Sequence, residues 1–345
     1  MLELPGDVHY ELLWDPSLHT SRFEPAVLQR HPRATWHEHR WAPLAPASPW
    51  RVGSWLRRCR PDVYLSPFYA MPWAAPCACA LTIHDVWPLR LPGGLSGPKQ
   101  LLYRHLLGRA SRAALVLTSS RFSFGEITAL TSIDPSRVSV VPLGAPAVPA
   151  DPEVMRPEGL PPGPFVLVVG TNHPHKNLGL LARLWADLGD VTGVTLVAVG
   201  PEDSRYPGLD ALSAASGASR VKVLGRVRPA ELEWLYRNAR LLLLPTRYEG
   251  FGLPLLEAGA RGLPVVAADI PPLREIGEGA ARFCDPDDVA SWRREVLALL
   301  DDEGQRRELG EAGRARAAAC TYARTASETL GLLESIARGG REGAG

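Results

Sequence analysis

The chain has 345 residues, room for two ordinary domains with a core each. Apolar residues make up 46% and charged residues 22%, a globular balance that argues against disorder, and the net charge of +1 gives no general case for a nucleic-acid binder. No run approaches the ~18–20 continuous apolar residues of a membrane-spanning helix, and Met1-Leu2-Glu3-Leu4-Pro5-Gly6 has neither a basic nor an apolar leader region, so the expectation is a cytoplasmic protein.

In the first half, strand-type apolar runs fall at 8–14, 35–40, 62–66, 78–83, 114–118 and 138–142, with helical segments at 50–60, 97–110 and 121–130. Residues 1–150 carry 15 Arg/Lys against 10 Asp/Glu, and basic residues cluster at Arg51, Arg57, Arg58, Arg60 and at Arg104, Arg109, Arg112. These clusters fit either a solvated helix face or a surface meeting anionic lipid head groups at the inner face of a membrane. Cys77 and Cys79 share one face of a strand, but no second Cys or His pair stands at zinc-ligand spacing, so no metal is expected and all five cysteines read as reduced thiols.

Pro142 to Pro152 and Pro161 to Pro164 are too rich in Pro and Gly for helix or central strand and read as an interdomain linker. Beyond them, strand-type runs at 165–170, 194–200, 221–225, 241–244, 265–268 and 281–284 alternate with helical segments near 177–188, 207–217, 229–238, 253–261, 271–277 and 286–301. That alternation predicts βαβ units and a parallel sheet covered on both faces. From 303 to about 338 the chain reads as helix, ending in a Gly/Arg tail. The division expected is therefore 1–150, an α/β domain; 151–325, a second α/β domain; and 326–345, a helix end and flexible tail.

Generic nucleotide motifs are absent: there is no phosphate-binding P-loop, and the nearest approach to G-x-G-x-x-G, at 277–282, precedes a strand instead of following one. The informative segment is Arg247-Tyr248-Glu249-Gly250-Phe251-Gly252-Leu253-Pro254-Leu255-Leu256-Glu257. It follows a predicted strand, where open α/β sheets bind ligands. Gly250 and Gly252 let backbone N–H groups approach a ligand, and Pro254 suits the first turn of a helix whose free N–H groups favour phosphate. Glu257, one turn in, can accept hydrogen bonds from a ribose diol; Glu249 is placed for a polyhydroxylated group beyond the phosphates; Ala258, Gly259 and Ala260 let the helix pack close to the sheet. A second segment, Gly170-Thr171-Asn172-His173-Pro174-His175-Lys176-Asn177, follows the first strand of the second domain. Lys176, one of three lysines, stands at a helix start and can neutralise a diphosphate. In the first domain His84 and Asp85 end a strand, where His84 can hydrogen-bond a substrate hydroxyl with Asp85 orienting it.

Together these residues resemble family 4 of the retaining glycosyltransferases, over about residues 60–325. The most specific element is Glu249-Gly250-Phe251-Gly252-Leu253-Pro254 with Glu257 in E-x7-E spacing, followed by Gly262-Leu263-Pro264-Val265-Val266-Ala267. The resemblance implies the GT-B fold, two facing doubly wound Rossmann-like domains with a cleft between them, and metal-independent, cofactor-free transfer of a sugar from a nucleotide-diphospho-sugar to a glycan or lipid-linked acceptor, with retention. It implies catalytic parts for Glu249, His84 and Lys176. Donor-binding parts fall to Glu257, Gly170, Thr171, the backbone of Gly250, Phe251, Gly252 and Leu253, and Val223 and Leu224 around the base. Two departures stand out. His175 occupies the position where the family has an arginine, for which Arg247 is the candidate substitute. The family's opening strand and Gly-rich turn are not found, which predicts a segment upstream of Met1. Alternatives are a catalytically silent paralogue acting as a partner subunit and a nucleotide-sugar epimerase, against which the E-x7-E spacing speaks.

Overall fold

The computed structural model describes residues 1–2, 4–15, 29–40, 45, 47–91, 95, 97–145, 148 and 154–342. Linker residues 146–147 and 149–153 and the last three of the tail lie outside them. The chain forms two compact units, Met1–Pro142 joined by Ala323–Gly345, and Leu143–Tyr322.

In the first unit β1 (Tyr10–Trp14) and β2 (Ala34–Glu38) pair in parallel, and α1 (Ser48–Cys59) follows. A separate parallel sheet holds β3 (Val63–Ser66), β4 (Ala78–Thr82), β5 (Leu115–Thr118) and β6 (Val138–Val140) in chain order. Between β4 and β5 lie α2 (Trp87–Arg90) and α3 (Gly97–Ala110); α4 (Arg121–Leu130) follows β5, its first turn capped by Ser120 Oγ, which accepts from the Ser123 N–H at 3.0 Å. Side chains alternate across this sheet. Leu81, Ile83 and Val116 pack with Tyr103, Leu107 and Ile127 on one face, and Ala80, Leu115, Leu117 and Val141 form the other.

That second face is covered by Leu332, Leu333 and Ile336 of a C-terminal helix, Tyr322–Glu342. The helix expected to reach about residue 338 runs on to Glu342, into the Gly/Arg stretch expected to fray, and an apolar stripe at helical spacing lays it on the first unit's sheet. The six strand runs of the first half also do not make one sheet. Among the described residues no ladder joins β1 to β3. A cavity of about 710 Å³ is bordered by consecutive residues of 8–13 and of 61–66, with walls from α1 and the C-terminal helix.

The second unit is built on one six-stranded parallel sheet: β7 (Phe165–Val169), β8 (Thr195–Val199), β9 (Val221–Gly225), β10 (Leu242–Leu244), β11 (Val265–Ala268) and β12 (Arg282–Cys284), in spatial order β12-β11-β10-β7-β8-β9. The strands are near-continuously apolar because helices cover both faces: α5 (Leu178–Thr192), α6 (Leu209–Ser216), α7 (Pro229–Asn238), α8 (Leu253–Ala260), α9 (Pro271–Gly277), α10 (Val289–Asp301) and α11 (Glu303–Ala319). Trp185 of α5 and Trp292 of α10 are fully buried, and each indole N–H is satisfied by a carbonyl, of Val194 at 3.2 Å and of Asp285 at 2.9 Å. The chain reverses its direction of sheet growth between β7 and β10, the switch point where such sheets leave a crevice at their carboxyl ends.

Candidate functional site

Two loops meet at that switch point, the one after β7 and the one after β10. Asn177, in the left-handed conformation at φ 56°, donates through Nδ2 to the carbonyls of Pro245 at 3.1 Å and Pro286 at 2.8 Å. The His175 carbonyl accepts from the Arg247 N–H at 2.7 Å and from Thr246 Oγ1 at 3.1 Å. Across this seam Lys176 Nζ meets Glu249 Oε1 at 2.5 Å, both side chains about one-fifth exposed. Lys176 closes a short 3₁₀ turn, Pro174–Lys176, and α5 begins only at Leu178, so the lysine precedes the helix it was expected to start.

Beside the pair the sheet edge is bare backbone. The Gly170 N–H donates to the Val199 carbonyl at 2.9 Å, and the Gly200 N–H to that of Gly225 at 2.8 Å. Gly200 has φ +141°, and a Cβ there would lie 1.9 Å from the Gly170 oxygen, so no other residue fits. Gly170, Thr171, Lys176, Val223 and Glu249 line one small pocket of about 30 Å³, together with Asn172, Gly200, Glu202 and Thr246. Five of the expected residues are thereby gathered on one spot; Leu224 and Glu257 are not among its lining.

Gly252 is the N-cap of α8, with φ +108°, and a Cβ would meet Leu273 Cδ2 at 2.4 Å. Phe251 sends its side chain into the core, so only its backbone is available to a ligand. Glu257, 9% exposed, accepts from the Tyr236 hydroxyl of α7 at 2.7 Å. Arg261 holds that corner: it donates to the Glu257 carbonyl at 2.9 Å, pairs with Glu233, and lies over the Tyr236 ring. Ala258 packs in the core, but Gly259 faces α11, where a Cβ would lie 2.8 Å from the Gly313 oxygen; the small residues serve a helix–helix contact as well as the sheet.

His175 does not replace an arginine's charge. Burial, with Lys176 and then His173 beside it, pushes its pKa down to about 4, and it is neutral at pH 7. Arg247 pairs with Asp287 at 2.5 Å. In the first unit, His84 reaches solvent, yet the protein crowding it disfavours the charged imidazole and holds its pKa below the ordinary value. Its carbonyl accepts from Ser123 Oγ at 2.8 Å, and Asp85 Oδ1 accepts from the Trp87 N–H at 3.3 Å, shaping the turn into α2. Asn172, Asn177, Gly200 and Tyr236 were not singled out from the sequence. Only Asn177 carried a local signal, a helix-start residue after a strand; the other three matter through partners distant in the chain.

The model for "Glycosyltransferase Family 4" matches residues 9–147, and that for "Glycosyl transferases group 1" matches 152–316. O-antigen chain mannosyltransferase B of Escherichia coli is 28% identical over 295 residues, 81% of this chain and 76% of that protein. A D-inositol 3-phosphate glycosyltransferase of Nocardia farcinica is 37% identical over 226 residues, 61% of this chain but 49% of its own length. Among solved structures, sucrose-phosphate synthase of Thermosynechococcus elongatus superposes with a TM-score of 0.72 at 18% identity, covering 95% and 89% of the two chains. Anabaena HepE, solved in complex with UDP and glucose, gives 0.71 at 18%, covering 90% and 88%.

Proposed function

We propose that the chain is a GT-B glycosyltransferase, as the two glycosyltransferase models that match it support, and that it transfers a hexose from a nucleotide-diphospho-sugar to a glycan or lipid-linked acceptor, with retention and without a metal at the reacting centre. The supporting observation is the Lys176–Glu249 contact at the switch point, beside glycine backbone and next to the start of α8. When a donor enters, its diphosphate takes the ammonium of Lys176, which leaves Glu249 free to accept hydrogen bonds from sugar hydroxyls. The bond between the anomeric carbon and the diphosphate oxygen breaks, and negative charge grows on the leaving group. Lys176 and the first N–H groups of α8 stabilise that charge as preorganised donors. The acceptor oxygen bonds to the anomeric carbon on the same face and its proton passes to a leaving phosphate oxygen. Glu257, one oxygen held by Tyr236, binds the ribose with the other.

The mannosyltransferases among the relatives make mannose the first sugar to try. The first unit favours acceptor and membrane contact: Trp50, Trp73 and Leu101 are each about two-thirds exposed or more, in a region carrying Arg51 and Arg104. The reading as a silent partner subunit draws on the same ion pair, since Lys176 and Glu249 already neutralise each other. Donor turnover decides. Incubated with UDP-, GDP- and ADP-hexoses without acceptor, an active transferase slowly releases free sugar and nucleoside diphosphate. The matching donor raises the melting temperature, and Glu257→Ala abolishes that shift. A shift unchanged in Glu257→Ala removes the ribose assignment; no release with any donor favours the silent subunit.

A further inference from the structure

One cluster of ligating side chains lies away from these loops, in the first unit. On the β1–β2 sheet Glu11 stands opposite Thr35, and Leu13 opposite His37, so Glu11 and His37 are diagonal neighbours on one face. His9 shares that face by the two-residue repeat. Cys59, the last residue of α1, packs onto it one turn after Trp55, whose ring meets the His37 imidazole edge-on at 5.5 Å. His37 Nε2 lies 2.5 Å from Glu11 Oε2 and 3.9 Å from Cys59 Sγ. One donor atom from each of the three falls within 4.8 Å of the others.

We propose that Glu11, His37 and Cys59 form a zinc site that fastens the two-stranded sheet to α1. One carboxylate, one imidazole and one thiolate are a ligand set suited to zinc. Bonds of ~2.0–2.3 Å to a tetrahedral ion place the ligand atoms roughly 3.3–3.7 Å apart, which small side-chain rotations reach from the present positions. On binding, the thiol gives up its proton to solvent, and the ion replaces the short contact between Glu11 and His37. A solvent molecule takes the fourth position, with His9 Nε2 3.7 Å from Glu11 Oε1 beside it. His9, Glu11 and Cys59 border the 710 Å³ cavity, which supplies an entry path. The need is physical: no side chain of β1 or β2 is fully buried, and two strands alone are marginal in water. The three ligands come from positions 26 and 22 residues apart on separate elements, so no spacing motif announces them. The site belongs to the unit that lacks the donor loops and serves to hold β1 and β2 to α1; the proposed transfer reaction runs without it.

The test strips the full chain with chelator, reloads it with zinc chloride under a thiol-free reductant, and measures metal per chain by mass spectrometry after buffer exchange. One zinc per chain is expected, falling at least tenfold in Cys59→Ser and in His37→Gln, with near-ultraviolet circular dichroism confirming that the variants fold. Cobalt(II) gives wild type a thiolate charge-transfer absorption that Cys59→Ser lacks. Should a variant fail to fold, zinc titration of wild type against melting temperature stands in. A midpoint that climbs with free zinc supports the site, and one that stays flat overturns it. Folded wild type without bound zinc, or Cys59→Ser with undiminished zinc, also overturns it and leaves a plain hydrogen-bonded Glu11–His37 pair.

Discussion

The two units use the same strand–helix vocabulary to different degrees of completion. In Leu143–Tyr322 six strands share one ladder and one large core, so the loops at its carboxyl edge are held from both sides of the switch point. In the first unit a four-stranded sheet carries two smaller clusters and a two-stranded sheet stands apart from it. The difference teaches where rigidity is placed. The backbone proposed to hold a charged leaving group sits on the continuous sheet, whose close approaches admit only glycine, and the first unit's sheet takes part of its cover from a helix distant in the chain.

The largest expected effect probes the rigid edge through activity: Lys176→Ala should lower kcat/KM for donor turnover roughly 10²–10³-fold, as loss of one preorganised donor does. The melting midpoint should move far less, because the pair is partly solvated. Next is Gly200→Ala, expected to cost about 3 kcal/mol or more in urea unfolding from its positive φ and its overlap with the Gly170 oxygen. The control in the first unit is Gly108→Ala, on an open helix face, expected to stabilise by roughly 0.5–1 kcal/mol. Equal effects would erase the contrast between the units.

Acid sharpens it further. His175 has a folded pKa of about 4, below the unfolded 6.5, so its contribution is complete above pH 6.5 and is lost as pH falls toward 4. The second unit should lose up to ~3 kcal/mol over that window, and His175→Asn should flatten the profile. His84 has the same sign in the first unit. A smaller loss than that of His175 is expected for Leu333→Ala, about 1–2 kcal/mol because the residue is only partly buried; it should lower the transition of the first unit without moving that of the second, read by hydrogen exchange.

Strands and helices were largely legible because their periods are local: 97–110, 121–130, 229–238 and 271–277 were read at their observed bounds. Glu249 and Lys176 were each legible as residues of loops that follow strands. Their contact was not, since it spans 73 residues and depends on which strand neighbours which. The same limit hid Tyr236 on Glu257, Asp287 on Arg247, and the trio of Glu11, His37 and Cys59. At the C-terminus the helix was legible to about residue 338, but not that Leu332, Leu333 and Ile336 would lie on the first unit's sheet, a contact set by the fold and not by local period.

That last helix carries a consequence for biosynthesis. The sheet it covers is translated by residue 142, but its lid leaves the ribosome only after the whole of Leu143–Tyr322 has been made. At ~5–20 residues per second the apolar face of Ala80, Leu115 and Leu117 waits about 10–40 s for cover. The portion made first is therefore finished last, and a nascent chain stalled in that interval is the form most exposed to chaperones and proteases.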